Sequence, residues 1–352
     1  MTTMTAPVAA ENPATPAGTD RRWAAPLLTV VVALAAAALL SLMIGGGRTL
    51  SPGVVWHALL GGTDAQTHAT VHDIRLPRTL VALLVGASLG VAGALVQGVT
   101  RNPIVEPAVV GINSGAALAI AATTYVMGAA TFQVAGLDLM PLVALAGAAA
   151  ATGLVYAVVS GADMTPGRIA LAGVTIAMLA NSLVMSIVIL NDAAVRFVLH
   201  YLVGGIDGVT WESVRTLAPY TVVGIAGALL LARSVTLLAL GDDVARSLGV
   251  RVERIRRAVL GLIVLLAGAA VAVAGPIAMV GLIVPHIARW SLGNDYRRVL
   301  PFAAAVGALL LICADLVTRL LPSPVETPVG VLTALLGTPY FVYLARRGRG
   351  AV

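Results

Sequence analysis

Apolar residues in this chain come in long blocks rather than in the short alternations of a soluble fold. Uninterrupted apolar runs approaching the ~20 residues that a bilayer-crossing helix needs recur along the whole sequence. They predict spans near 24–44, 77–99, 111–127, 139–160, 168–190, 214–232, 258–275, 277–290, 299–321 and 330–344. The eighth and tenth of these are the weakest in hydropathy, and a short extra helix is predicted at 193–202. Residues 1–23, rich in Ala, Thr and Pro without apolar period, read as a disordered tail, and 348–352 as a second one. Between them, 24–347 reads as one transmembrane domain, with its longest inner loop at about 238–257.

Composition agrees with this reading. The 352 residues are 59% hydrophobic, only 11% charged, with a mean hydropathy of +0.96; a soluble domain carries about a quarter charged residues. All 22 basic residues are Arg. A phosphate-binding Walker loop requires Lys, so the chain is not itself an ATPase. It also lacks H-E-x-x-H, and no catalytic pairing is evident, so no enzyme chemistry, resident cofactor or nucleic-acid binding is expected. Cys313 lies in an apolar run and reads as a packing residue. His68 and His72 stand four apart in what reads as a polar loop, without metal-ligand spacing.

Arginine placement orients the spans. With the N-terminus inside, 16 Arg fall in inner loops and 6 in outer ones, so both termini are expected to be cytoplasmic. Outer Arg48, Arg75, Arg78, Arg196, Arg215 and Arg319 run against the rule.

Local features add candidate roles. Gly86 and Gly90 form a G-x-x-x-G pair in the second span, which suits close helix approach. In the loop LALGDDVARSLGVRVERIRR, Asp242 and Asp243 follow Gly241, Asp242 and Arg246 are one turn apart, and Gly249 can end a helix. A two-turn helix is predicted there, either a solvated loop element or a docking helix for a cytoplasmic partner. Arg75 and Arg78 sit at the mouth of the second span, and Asp315 and Arg319 one turn apart near the end of the ninth. These arginines could pair or snorkel locally, or offer a basic outer surface to an acidic partner. Polar breaks at 100–115 and 275–289 contain Pro103, Pro107, Pro276 and Pro285. Their freed backbone groups must be buried in protein or face a wet cavity, which points to transport rather than anchoring.

RLPRTLVALLVGASLGVAGALVQGVTRNPIVEPAVVGINSGAAL, LGDDVARSLGV, GPIAMVGLIVPHIAR and ETPVGVLTALLGTPYFVYL, in that order over about 70–347, resemble the iron-siderophore and vitamin B12 permease family of ABC importers, most closely its ferric-enterobactin type. The resemblance implies an all-α polytopic subunit of about ten transmembrane helices in inverted repeats, the type II ABC importer fold of the B12 permease. It implies a bacterial inner membrane, a second permease copy or paralogue, a separate ATPase subunit, and a periplasmic or lipoprotein substrate-binding protein delivering a ferric siderophore. Gly241, Asp242, Asp243, Ala245, Arg246, Leu248 and Gly249 fall on the family's coupling helix. Arg75, Arg78 and Arg319 fall on arginines that receive glutamates of the binding protein. Asn181 and Ser182, on the fifth span, are polar candidates for the cargo path. Where relatives often have ADPGLLG, this chain has Val105-Glu106-Pro107-Ala108-Val109-Val110-Gly111. A cobalamin or haem permease of the same family is the alternative. An ion-coupled carrier is disfavoured, because Asp315 is the one carboxylate near span depth and Arg319 stands ready to neutralise it.

Overall fold

The computed structural model describes residues 23–45, 48–127, 133–134, 137–160, 166–190, 201–321 and 327–347. Most of the two expected tails, and residues 193–200 of the helix expected at 193–202, lie outside them. Ten helices correspond to the ten expected spans: α1 (Ala24–Met43), α4 (Leu76–Thr100), α5 (Ile112–Met127), α6 (Met140–Ser160), α7 (Pro166–Leu190), α8 (Trp211–Leu240), α10 with α11 (Val252–Ile263 and Ala269–Ala274, joined by a π-helical turn), α12 (Val280–Leu292), α13 (Tyr296–Leu320) and α14 (Val329–Arg347). Short helices α2 (Pro52–Leu59), α3 (Ala65–Ala69) and α9 (Asp242–Ser247) lie between them. Two-residue strands pair antiparallel, Ile44–Gly45 with Arg48–Thr49 and Gln133–Val134 with Leu137–Asp138.

Helix starts follow local chemistry. Ser51 accepts from the Val54 amide and Pro52 opens α2; Asp64 caps α3 through the Thr67 amide at 3.0 Å; Thr210 and Ser213 form a reciprocal capping box at α8. The segment holding His68 and His72 is helical rather than a loop: α3 runs into a π-helical turn, Thr70–Arg75, that leads straight into α4. The two imidazoles stack with ring centroids 5.3 Å apart.

The spans differ in what surrounds them. Seven described helices are long and apolar enough to cross a membrane. The α1 window is 11% buried and the α7 window 22%, but the window that includes α4 is 83% buried. Every residue from Val85 to Thr100 is buried, so α4 is the axis around which the other helices pack. Glycine makes that possible. A Cβ on Gly86 would overlap the Gly307 carbonyl of α13, and one on Gly93 the Gly281 carbonyl of α12, which confirms close backbone approach at the G-x-x-x-G helix.

Three expectations are corrected here. The sixth span, expected to stop near 232, continues to Leu240 as a 30-residue helix, about 45 Å long. Arg233 depressed the hydropathy there, yet its side chain is exposed and can snorkel. The eighth span is no full crossing: α12 has 13 residues, about 20 Å, and starts at Val280 after a non-helical stretch from Gly275. Cys313 does not pack inside; it faces outward from α13.

Candidate functional site

Charged and polar groups that the bundle does not leave to solvent gather at three places along α4. The first is its N-terminal end. Asp315 of α13 is fully buried and takes the Arg78 guanidinium at 2.9 Å and the Arg319 guanidinium from one turn onward. Arg75 donates to the carbonyls of Leu42 (2.9 Å), Met43 (2.7 Å) and Gly45 (2.6 Å). Arg319 also donates to the carbonyls of Ser41 and Ile44, at 3.1 and 3.2 Å. The carbonyls of Ser41, Leu42 and Met43 belong to the last turn of α1 and those of Ile44 and Gly45 to the strand that follows; cations are favoured at the carbonyl end of a helix. The three arginines singled out from sequence are thus brought together. They do not form an open basic surface, however: the Arg75 residue is 4% exposed, and the Arg319 and Arg78 side chains 3% and 11%. Their charge is spent on Asp315 and the end of α1.

The second place is the middle of the bundle, where the two polar breaks meet. The first break leads into a 3-10 turn, Pro107–Val110, before α5; the second leads into α12. The Glu106 carboxylate accepts from the Met279 amide at 2.7 Å, on the N-terminus of α12, where a carboxylate is favoured. From α4, Gln97 Nε2 donates to the Val105 carbonyl at 3.2 Å, and Gln97 Oε1 accepts from Arg289. The breaks are therefore satisfied inside protein, by each other and by α4. Glu106 and Gln97 were missed as sites. The signal was present: a single carboxylate flanked by Val105 and Pro107 in an apolar break has to meet a donor.

The third place is the C-terminal end of α4. Gly241, at φ +129°, turns the chain out of α8, and α9 follows. Gly249, at φ +80°, ends it, with its amide on the Arg246 carbonyl (2.9 Å) and the Val250 amide on the Ala245 carbonyl (2.9 Å). Ala245 is fully buried against the bundle, whereas Asp243, Val244, Arg246 and Leu248 are exposed. The pairing differs from the spacing-based expectation. Arg246 contacts exposed Asp243 at 3.4 Å, not Asp242. Asp242 turns back instead to buried Arg256 of α10, at 3.0 and 3.2 Å, and to Arg101 at 3.6 Å. Arg101 caps α4 in the left-handed conformation, φ +50°, uncommon for a residue with a side chain. Asn181 and Ser182 lie on an exposed, largely apolar face of α7 with Met178 and Met185, near exposed Ser186 and Thr175. Among the described residues no group of three His, Cys, Asp or Glu is placed to hold a metal.

Comparison with known proteins follows from this arrangement. Residues 33–347 match the FecCD transport family. The chain is 45% identical to the Fe(3+)-citrate import system permease protein YfmD of Bacillus subtilis, over 79% of this chain and 82% of the relative. It is 38% identical to the ferric enterobactin transport system permease protein FepD of Escherichia coli, over 93% of this chain and 96% of the relative. A solved metal-chelate type ABC transporter in an inward-facing conformation superposes with a TM-score of 0.79 at 29% identity, covering 91% of this chain and 98% of that one.

Proposed function

The chain belongs to the FecCD transport family, and from that premise we propose that it is the permease subunit of an importer that takes up a ferric siderophore or related ferric chelate. Relatives whose names specify cargo include permeases for ferric citrate, ferric hydroxamate and ferric enterobactin, and one for cobalamin; the predominance of iron chelates among them supports that class. We place the α9 end of the bundle in the cytoplasm, because most loop arginines lie on that side.

One observation carries the reading. A short helix, α9, is seated by a buried alanine, tied to the bundle by Asp242, and turns Asp243, Val244, Arg246 and Leu248 outward. A mixed apolar and charged face of this kind, held on a rigid support, suits a groove in a separate ATPase subunit. Movement of that subunit would press on α9, and Asp242 would pass the load to α10 through Arg256 and to α4 through Arg101. Asp243 and Arg246 are then contact residues, and Asp242 a positioning residue.

At the other end, the delivery protein would dock on the rim where α1, α4 and α13 meet. Arg78, the most accessible of the three arginines, would meet its acidic groups; Arg75 and Arg319 hold the rim in shape. Cargo would descend along the exposed face of α7 that carries Asn181 and Ser182, between this permease and a second copy or paralogue.

The test is reconstitution. Proteoliposomes holding the permease, its ATPase and its binding protein should accumulate 55Fe from ferric citrate or a ferric hydroxamate only with ATP. Uptake driven by an ion gradient in vesicles without the ATPase would overturn the reading, and ATP-driven uptake of cobalamin in preference to both chelates would overturn the cargo assignment.

A further inference from the structure

A crevice of about 340 Å3 lies between α6 and α10, walled by Gly153 and Tyr156 on one side and by Arg257, Leu260 and Gly261 on the other. Two of these wall residues are helical glycines that meet nothing, since a Cβ on Gly153 or Gly261 would find open space to 4 Å. Gly167, near the start of α7, is open in the same way, but many glycines inside the bundle are not. Those at 86, 93, 115 and 281 each lie against a neighbouring helix so closely that a Cβ would clash. Glycine weakens a helix interior, and it is tolerated there when another group must come close. At Gly153 and Gly261 no part of the described chain supplies that group.

The chemistry of the crevice indicates what does. Its wall is mostly apolar, and Arg257, which lines it, is exposed together with Arg251 and Arg254 toward the N-terminal end of α10. The Arg257 Nε donates to the Glu253 carbonyl at 3.3 Å, which holds the guanidinium at the mouth. The acid one turn before it, Glu253, is already engaged by Arg256 at 3.2 Å. An apolar slot running into the bilayer with a fixed cation at its mouth is complementary to a lipid with a phosphate headgroup and net negative charge.

We infer that this crevice binds an anionic phospholipid of the cytoplasmic leaflet, with one acyl chain along the Gly153–Gly261 wall and its phosphate on Arg257. The inference rests on the orientation proposed above and not on the cargo or the coupling partner, so it can fail while they stand.

The full chain, purified in detergent and titrated with phosphatidylglycerol or phosphatidylcholine under native mass spectrometry, provides the test. The anionic lipid should be retained about fivefold more tightly, the preference expected of one arginine at a membrane surface. Arg257→Gln should bring the two lipids to equal retention. Gly153→Leu with Gly261→Leu should expel both, with an unchanged or raised melting temperature showing that the fold survives. Equal retention of the two lipids by the unaltered chain, or undiminished retention in the double leucine variant, would overturn the proposal. So would displacement of the lipid by millimolar inorganic phosphate alone, which marks a free-anion site, or conversion of a dimer to a monomer by the leucines, which marks a protein interface.

Discussion

Each end of α4 carries a carboxylate held by two arginines, and the two arrangements are built to different tolerances. At the N-terminal end, Asp315 is completely buried, both arginines are nearly so, and the remaining donors cap the last carbonyls of α1. At the C-terminal end, the Asp242 side chain is 23% exposed, one arginine is close at 3.0 Å, and the other is loose at 3.6 Å. Desolvated ions leave no room for partial separation, because an unpaired charge in a dry site is costly. Ions that retain some water can lengthen and re-form. The first cluster thus fixes three helices to one another, and the second joins a surface helix to the bundle through contacts that can give. A machine that transmits motion requires both, a fixed end and a yielding end.

The comparison can be broken by removing the carboxylates. Asp315→Ala removes the buried carboxylate that Arg78 and Arg319 share and should cost about 3–5 kcal/mol, seen as loss of folded protein and a sharp fall in melting temperature; a near-normal melting temperature would show that this end is not the fixed one. Next in size is Gly86→Ala, which pushes a methyl into the Gly307 backbone and should cost about 1–3 kcal/mol, read by thermal unfolding in detergent. It tests whether α4 must lie tight against α13 to connect the ends.

Asp242→Ala should cost less, about 1.5 kcal/mol, but should uncouple the assembled transporter: ATP hydrolysis continues while uptake falls. Exchanging the charges, Asp242→Arg with Arg256→Asp, should restore part of the uptake. If it restores none while the fold is intact, Asp242 does not act through Arg256. The smallest structural effect belongs to Asp243→Ala with Arg246→Glu, within about 0.5 kcal/mol for exposed positions. Its mark should be weaker capture of the ATPase subunit in pull-down, and undiminished capture would remove these two residues from the contact.

Much of the fold could be read from sequence because hydropathy reports directly on which segments leave water. The starts and stops of α1, α4, α5, α6 and α7 fall within a few residues of their apolar runs. The break after Gly275 was visible through Pro276, but its extent to Met279 was not, since residues 277–279 are as apolar as the helix beside them. Its Gly275 and Met279 take positive φ, +66° and +71°, a matter of backbone geometry that composition does not encode. The α9 helix was legible through its two glycines. Its inward tie was not, because Asp242 and Arg256 are 14 positions apart across a turn, beyond the reach of helical spacing rules. The direction in which Arg75 and Arg319 point was likewise hidden. It is set by where α1 ends, some 30 and 275 residues away in sequence.

The burial of α4 also bears on how the bilayer acts on this protein. A helix in contact with lipid must match its apolar length to the hydrocarbon thickness, by tilting or by deforming the bilayer around it. At 25 residues, about 37 Å, α4 is longer than the hydrocarbon layer, yet from Val85 onward it touches only protein. Its tilt is therefore set by the glycine contacts along α12 and α13 and not by the host membrane. Thinner or thicker bilayers would be felt by α1 and α7, while the rod joining the two charged clusters keeps its length and angle, so transport should vary little with acyl-chain length.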